Sequence, residues 1–342
     1  MARDKRIIDE EPPIATIEGW EDGHPFKRGI HKLDRWALQS ADTLTIHIGP
    51  HDIVLVQDPH SNYLGGYVWL TSIVFCSYLE RLSSKRDRHG WISLDRRKRW
   101  VELGSGVGLI GIMLHKLGIE DVVITDIEEL VETMEKNVEA NQLHVKSING
   151  RRKNDYDNDV IVVDPLLWNN VEEMDSIKAG GDIDYIVACD CIYSEASAMD
   201  LVDTMDYLSD EKTTIICISE VRNQAAQDKF MLEAEARFQV ELLPAIQWQK
   251  KVAQKIEKII WLEQYKNHES RQQEIINYQR HLMFREERQP ALGEKVYQPL
   301  TKRHYVENRP DILHAAKIKK FNLDIKPELV PGERCLPGLP SR

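Results

Sequence analysis

Trp100-Val101-Glu102-Leu103-Gly104-Ser105-Gly106-Val107-Gly108 runs from a short strand of buried character straight into a cluster of glycines. Apolar positions at helical spacing follow, through Leu117 and Gly118. Glycines are needed at such a turn because a Cβ would block close approach of a ligand to the backbone. The helix that starts there offers free amide groups and positive potential. The next strand, Asp121–Asp126 (DVVITD), ends in an acid. At a strand end a carboxylate can accept hydrogen bonds from both hydroxyls of a ribose. A tight strand–helix turn without a ligand is the plainer reading, and the glycine density together with the spaced acid speaks against it.

The same alternation extends in both directions. Upstream, 44–48 (LTIHI) and 53–57 (IVLVQ) are β-type runs separated by Gly49, Pro50, His51 and Asp52, a hairpin signal. Residues 67–82 read as a helix, and the charged segment 83–99 as a loop. Downstream, 127–142 is helical, 160–163 a strand, 183–189 a strand, 195–208 a helix, 213–219 a strand and 223–237 a helix. Strands alternating with helices mean a parallel sheet covered on both faces. The last two runs, 239–247 and 256–262 (IEKIIWL), have no helix between them and read as an antiparallel pair at one edge. The prediction is an α/β, Rossmann-like sheet of seven strands, mostly parallel with an antiparallel edge strand, within 44–263. Residues 1–43, with Pro12, Pro13 and Pro25, are expected to be mostly disordered. Residues 264–288 read as a polar helix, and 289–342 as a Pro-containing basic tail, leaning to disorder.

Two registers compete in the glycine loop. Gly106-x-Gly108-x-x-Gly111, with Asp126 twenty residues on, matches a dinucleotide fingerprint. Glu102-x-Gly104-x-Gly106-x-Gly108 puts the first glycine directly after the strand and an acid at the loop entry. An acid is awkward beside a pyrophosphate but welcome beside the ammonium and sulfonium charges of S-adenosylmethionine. At the next strand end, Cys189-Asp190-Cys191-Ile192-Tyr193 places Asp190 and Tyr193 just past 183–189. In open α/β sheets ligands bind outside the carboxyl ends of strands, so Asp190 points at the crevice of the glycine loop and Asp126. The alternative is that Asp190 or Ser194 caps the helix at 195.

At these residues the chain resembles the seven-β-strand protein-lysine methyltransferases, whose hallmark is Asp-x-x-Tyr after strand four. The resemblance runs from about 44 to 263. It rests on Val68-Trp69, Val101–Gly106, Thr125–Leu130, Asn137 with Asn141, Trp168, Ala188–Tyr193 and Ile215–Arg222. It implies a class I methyltransferase fold, S-adenosyl-L-methionine as cofactor and transfer of a methyl group to a lysine ε-amine of a partner protein. It further implies that Trp69 helps enclose the cofactor, and that Gly104, Ser105 and Gly106 contact its amino-acid end. Asp126 would hold the ribose, Trp168 would lie against the adenine, and Cys189 would face the cofactor. Asp190 would lie by the transferred methyl, and Tyr193 would shape the lysine channel. Within the family the chain is similar to members that methylate valosin-containing protein, which implies a hexameric ATPase chaperone of the valosin type as partner. Leu70 stands where an acid usually follows the tryptophan, and Cys189 where alanine often precedes the hallmark acid. Glu220 and Arg222 read as a surface ion pair.

Composition narrows the field. The 342 residues carry 45 basic and 56 acidic side chains, a net charge of -11, which gives no support for broad nucleic-acid binding. The charge is uneven, with 15 basic and 10 acidic residues in 264–342. The five cysteines are odd in number and four lie in hydrophobic runs, which points to reduced thiols. Cys189 and Cys191 have no second cluster at zinc spacing, so no metal is expected. No apolar run approaches the ~18 residues of a membrane span, and the first residues lack a signal core. A monomer in the cytoplasm is the expectation, with a nuclear share open. A small-molecule methyltransferase, a nicotinamide-dependent oxidoreductase using the other glycine register, and a non-catalytic cofactor-binding scaffold are the alternatives.

Overall fold

The computed structural model describes residues 12–21, 24–31, 33–85, 92–147, 160–244 and 313–320. Two sheets share one core. The smaller is antiparallel and consists of β1 (Ala15–Glu21), β2 (His24–Ile30), β3 (Thr43–Ile48) and β4 (His51–Val56), in the order β2-β1-β3-β4. The short helix α1 (Arg35–Gln39) links β2 to β3. The predicted hairpin is present, with Ile48 opposite His51 at its tip. The start of the chain departs from expectation, because 15–30 is a hairpin rather than disordered. Its order is tertiary in origin: β1 pairs with β3 from Ala15 opposite Ile46 to Glu18 opposite Thr43, and Ala15 and Ile17 are buried.

The larger sheet alternates with helices. Its elements are α2 (Leu70–Lys85), β5 (Arg99–Leu103), α3 (Leu109–Lys116), β6 (Asp121–Asp126), α4 (Glu128–Ala140), β7 (His144–Lys146), β8 (Val160–Pro165), α5 (Val171–Ala179), β9 (Tyr185–Cys189), α6 (Glu195–Leu208), β10 (Thr214–Glu220), α7 (Gln224–Glu235), β11 (Phe238–Pro244) and β12 (Leu313–Lys320). The order is β7-β8-β6-β5-β9-β10-β12-β11. From β7 to β10 every pairing is parallel, and β12 runs antiparallel to both its neighbours. This is the class I methyltransferase arrangement, with the short β7 as an eighth strand. Of the edge pair expected from 239–247 and 256–262, β11 supplies the first member, and its antiparallel partner is the inner strand β12. That strand is 313–320, from the segment expected to be a disordered tail. Its register, Ile318 opposite Ile215 on one side and Val240 on the other, joins segments 103 and 78 positions apart in sequence. The runs 256–262 and 264–288 lie outside the described residues.

Successive strand residues point to opposite faces, and both faces are buried, which is why these strands read as continuous apolar runs. Trp100, Val122, Ile124, Val187 and Ile216 pack with α2, α3, α4 and the small sheet. Val101, Leu103, Val123, Ile186, Ala188 and Ile215 pack with α5, α6 and α7. No helix among the described residues is long and apolar enough to cross a membrane.

Two amides, one on α4 and one at its C-cap, dock the small sheet. Asn137, fully buried, accepts from the Val56 N–H at 2.7 Å and donates to Val56 O at 3.0 Å and Val107 O at 2.9 Å. Asn141 accepts from the Val54 N–H at 3.1 Å and donates to Val54 O at 2.7 Å. Residues four apart share a helix face, and residues two apart share a strand edge, so the amides stand in for a missing strand beside β4.

Candidate active site at the carboxyl ends of the central strands

From β5 the chain builds outward through β6 and β8, then returns to the other side of β5 for β9 and β10. Ligand crevices in open sheets form at such a reversal. The loop 104–108, Asp126 and Asp190 all sit there, at the ends of β5, β6 and β9. Gly104, Gly106 and Gly108 have φ of 65°, 56° and 78°. These left-handed positions coincide with the register that begins at Glu102. A Cβ on Gly104 would lie 2.8 Å from Cys191 Sγ and 3.2 Å from the Trp168 ring. A Cβ on Gly106 would lie 2.9 Å from Gly65 O, because the 3-10 turn Leu64–Gly66 closes onto the loop. Gly111, needed by the rival register, lies inside α3, where a Cβ would reach 2.0 Å from Ile124 Cγ2. Its role is close contact between helix and sheet.

Asp126 is held by backbone. Its Oδ2 accepts from the Gly106 N–H and its Oδ1 from the Ile127 N–H, both at 2.8 Å. Burial raises its pKa while these two amides oppose the rise, and the residue stays partly exposed. Ser105 ties the loop to β6: its N–H donates to Thr125 O at 2.9 Å and its Oγ accepts from the Thr125 N–H at 3.1 Å. Glu102 does not meet the expectation of an anion at the loop entry. Strand alternation turns it toward α3, where it accepts from the Gly111 N–H at 2.9 Å. Burial pushes its carboxyl up to about 8, against hydrogen bonds from Gly111 and Ser105. At neutral pH it is mostly a neutral acid beneath the loop.

The end of β9 is held by side chains. Ser194 caps α6, accepting from the Ser197 N–H at 3.1 Å, so Asp190 is not a cap. Asp190 has φ of 58°, a conformation Asp tolerates but which is strained for most residues. Its N–H donates to Ile218 O at 2.8 Å. Its Oδ1 accepts from the Glu220 N–H at 3.0 Å and from Arg222 Nη2 at 2.6 Å. Its Oδ2 is buried and makes no hydrogen bond of ordinary geometry among the described residues, although the Thr71 hydroxyl lies beside the carboxyl. Burial raises the Asp190 pKa, with the Arg222 charge, the Glu220 N–H and the Thr71 hydroxyl opposing.

Arg222 stacks over Trp69, its guanidinium carbon 4.0 Å from the ring centroid, and Arg35 approaches the same ring at 5.7 Å. Trp69 Nε1 donates to Leu64 O at 2.9 Å, which anchors the 3-10 turn. Arg35 also forms an ion pair with Glu220. Glu220 and Arg222 are therefore not a surface pair with each other. Each takes a partner from another element, a geometry that two nearby letters cannot disclose.

The remaining predicted residues divide. Trp168 and Tyr193 come together, with ring centroids 6.3 Å apart. Tyr193 is 38% exposed, and Trp168 lies against the glycine loop. Cys189 packs toward the α2 and α3 side, whereas Cys191 lies under Gly104 with its Sγ 3.3 Å from Leu103 O. The left-handed turn at Asp190 switches the chain between faces, so the second cysteine rather than the first meets the loop. Sequence reasoning missed Arg35, Gly65 and Cys191, and gave Arg222 no part. The pair Val221-Arg222 directly after a buried strand was the one local signal for the last.

These residues fit S-adenosylmethionine. The left-handed glycines let Cys191, Trp168 and the turn at Gly65 close against the loop and so shape the crevice at the strand ends. Asp126 retains a partly exposed carboxylate for hydroxyl donors, and Trp168 and Trp69 supply aromatic walls.

A family model described as lysine methyltransferase matches residues 50–237, more than half of the chain. Protein N-lysine methyltransferase METTL21A of Danio rerio is 32% identical over 191 residues, 56% of this chain and 76% of that one. Protein-lysine methyltransferase METTL21E of Mus musculus is 25% identical, covering 57% of this chain and 71% of that one. EEF1A lysine methyltransferase 3 of Xenopus tropicalis is 29% identical over 46% of this chain and 58% of its own length. The chain belongs to the lysine methyltransferase family, as a METTL21-like enzyme that methylates protein lysine with S-adenosylmethionine.

Proposed function

We propose that Asp190 orients the acceptor lysine and that Tyr193 shapes its channel, with the cofactor held by Gly104, Ser105, Gly106, Asp126, Trp168 and Trp69. The observation that carries this reading is the buried Asp190 carboxylate, with one oxygen saturated and the other short of a well-formed hydrogen bond, the Thr71 hydroxyl alone lying beside it. A buried polar atom left open in this way costs about 1–3 kcal/mol, and its persistence at a strand end points to a ligand donor.

When bound, S-adenosylmethionine would supply a sulfonium methyl whose carbon a neutral amine can bond to as the carbon–sulfur bond breaks, with S-adenosylhomocysteine as the leaving group and the surplus ammonium proton passing to solvent. Lysine is ordinarily protonated, with a pKa near 10.4, so the site must favour its neutral form through desolvation. Asp190 Oδ2 would accept an N–H of the amine and fix the direction of its lone pair. An anion also tends to hold a lysine proton, so orientation rather than strong base catalysis is the main contribution. Cys189 and Glu102 are assigned no contact with the cofactor. Cys189 faces the other side of the sheet, and Glu102 serves the start of α3.

The partner is a protein. Two candidates follow for its identity: a hexameric ATPase chaperone of the valosin type, from the motif pattern, and an elongation factor, from the relative that acts on EEF1A. The free thiols of Cys76, Cys189, Cys191 and Cys217 favour a reducing compartment, the cytoplasm first and the nucleus second. The test is incubation of the purified chain and Asp190→Ala with isotope-labelled S-adenosylmethionine and a cell extract. A discrete labelled protein band, lost with Asp190→Ala, is expected. Equal labelling by the variant would remove Asp190 from the reaction.

A further inference from the structure

We propose that Arg222 is a positioning residue for methyl transfer: stacked on Trp69, it fixes a counter-charge on Asp190 Oδ1 and so leaves Oδ2 to meet the acceptor amine. The inference rests on the reading that Asp190 adjoins the lysine. Arg222 is held from two sides, by Trp69 at 4.0 Å and by Asp190 at 2.6 Å, and its side chain is 23% exposed. A guanidinium sandwiched in this way has little freedom to swing toward solvent.

The charge count around Asp190 explains why this matters. Glu220 and Arg222 face it from the end of β10, Thr71 from α2, and Arg35 reaches it through Glu220 from α1. Cys189, Cys191 and Cys217 also surround it, and burial raises all three thiols, so they contribute no charge. Two anions, Asp190 and Glu220, are thus matched by two cations, Arg222 and Arg35. An acceptor lysine approaching this neutral cluster finds an oriented oxygen without a net negative field to retain its proton. Without Arg222 the cluster carries one unbalanced negative charge. Then either the lysine keeps its proton to higher pH or the buried Asp190 takes one up. Both consequences move the rising limb of activity in the same direction, toward alkali.

The experiment compares the full chain with Arg222→Gln, Arg222→Met and Arg222→Lys. Initial rates of labelling are followed from about pH 6 to 10, the range below the ordinary lysine pKa. The acceptor is the band labelled in cell extract. With Arg222→Gln the limb should move up by about one pH unit or more, the usual size of the effect of an adjacent charge. The deficit should be largest near neutrality and shrink toward alkaline pH. Arg222→Lys, which keeps the charge, should stay close to the parent limb. Arg222→Met keeps an apolar stem on Trp69 and serves if Arg222→Gln does not fold. Binding of S-adenosylhomocysteine, read by calorimetry, should change less than about threefold in every variant, a difference under 1 kcal/mol.

A readout independent of turnover is the carboxyl carbon resonance of Asp190 in the free protein, assigned by its loss in Asp190→Asn. It should titrate at higher pH in the neutral variants than in the parent. A uniform loss of rate at every pH would show a merely structural Arg222 and overturn the proposal, as would an unmoved Asp190 titration. If Asp190→Asn labels as well as the parent, the reading beneath the proposal fails. If Asp190→Asn is inactive while the limb of Arg222→Gln stays put, the proposal alone fails.

Discussion

Asp126 and Asp190 end the strands on either side of β5, and the fold holds them in opposite ways. Asp126 leans on two backbone amides, from Gly106 and Ile127. One donor belongs to the glycine loop and the other to the residue that follows Asp126, so both come from local backbone. Asp190 leans on a guanidinium, on one amide, and through these on Trp69, Glu220 and Arg35. The first site is built from local backbone, and the second is assembled from α1, the segment before α2, and the end of β10. Cofactor recognition should therefore tolerate surrounding side-chain changes, whereas lysine recognition should be sensitive to distant ones.

The largest effect that sharpens this contrast is at Asp190. Asp190→Ala should lower turnover by about 100- to 10,000-fold, the range for loss of an orienting or proton-handling group. Cofactor affinity, measured by calorimetry, should barely change. A parallel collapse of affinity would mean that the two halves of the site are not separable.

Next is Glu102, which belongs to the loop half but acts on stability. Its carboxyl is raised from 4.5 to about 8, so the folded protein keeps a proton that the unfolded chain has released. Stability is therefore lost as pH rises from about 4.5 to about 8. Glu102→Gln mimics the protonated acid. It should remove a fall on the order of a few kcal/mol over that window, read from denaturant unfolding at several pH values. Parallel pH curves for the two proteins would contradict the buried neutral acid.

Gly104→Val attacks the backbone half directly. It would place a branched side chain at φ of 65°, against Cys191 and Trp168. Strain of about 1–3 kcal/mol should weaken cofactor binding by roughly ten- to a hundredfold. The smallest effect is expected for Arg35→Gln. Its pair with Glu220 is part-exposed, at 29% and 35% of the side chains, so the stability change should stay within about 1 kcal/mol. A loss of turnover larger than that of the neutral Arg222 variants would reverse their assigned ranks.

The loop half was legible because its information is local. Glu102 to Gly108 in one run, with Asp126 at the next strand end, is enough to place a ligand-binding turn; its register was argued from an anionic Glu102, and the left-handed glycines rather than that charge support it. The strand-four half was legible only as far as Asp190 and Tyr193, whose motif is contiguous. Arg222 was noticed and wrongly paired, because its partners Asp190 and Trp69 lie 32 and 153 positions away. Cys189 was named from the resemblance alone, and the left-handed turn at Asp190 brings Cys191 under Gly104 instead. Asn137 and Asn141 were picked out as a pattern without a purpose, and the edge of β4 supplied one.

By itself the sequence determined most of the alternation of strands and helices from 44 to 244, with β7 and α5 unread, together with the parallel character of the central sheet and the glycine cradle, because hydrophobic period and glycine conformation act over a few residues. Tertiary structure alone decided that the chain's start forms a sheet and that 313–320 enters the larger sheet between β10 and β11. It also decided that Arg222 lies between Trp69 and Asp190. Each of these rests on pairing between segments far apart in the chain, where backbone hydrogen bonds and charge neutralisation come from whichever segment the fold brings near, and no local preference specifies which.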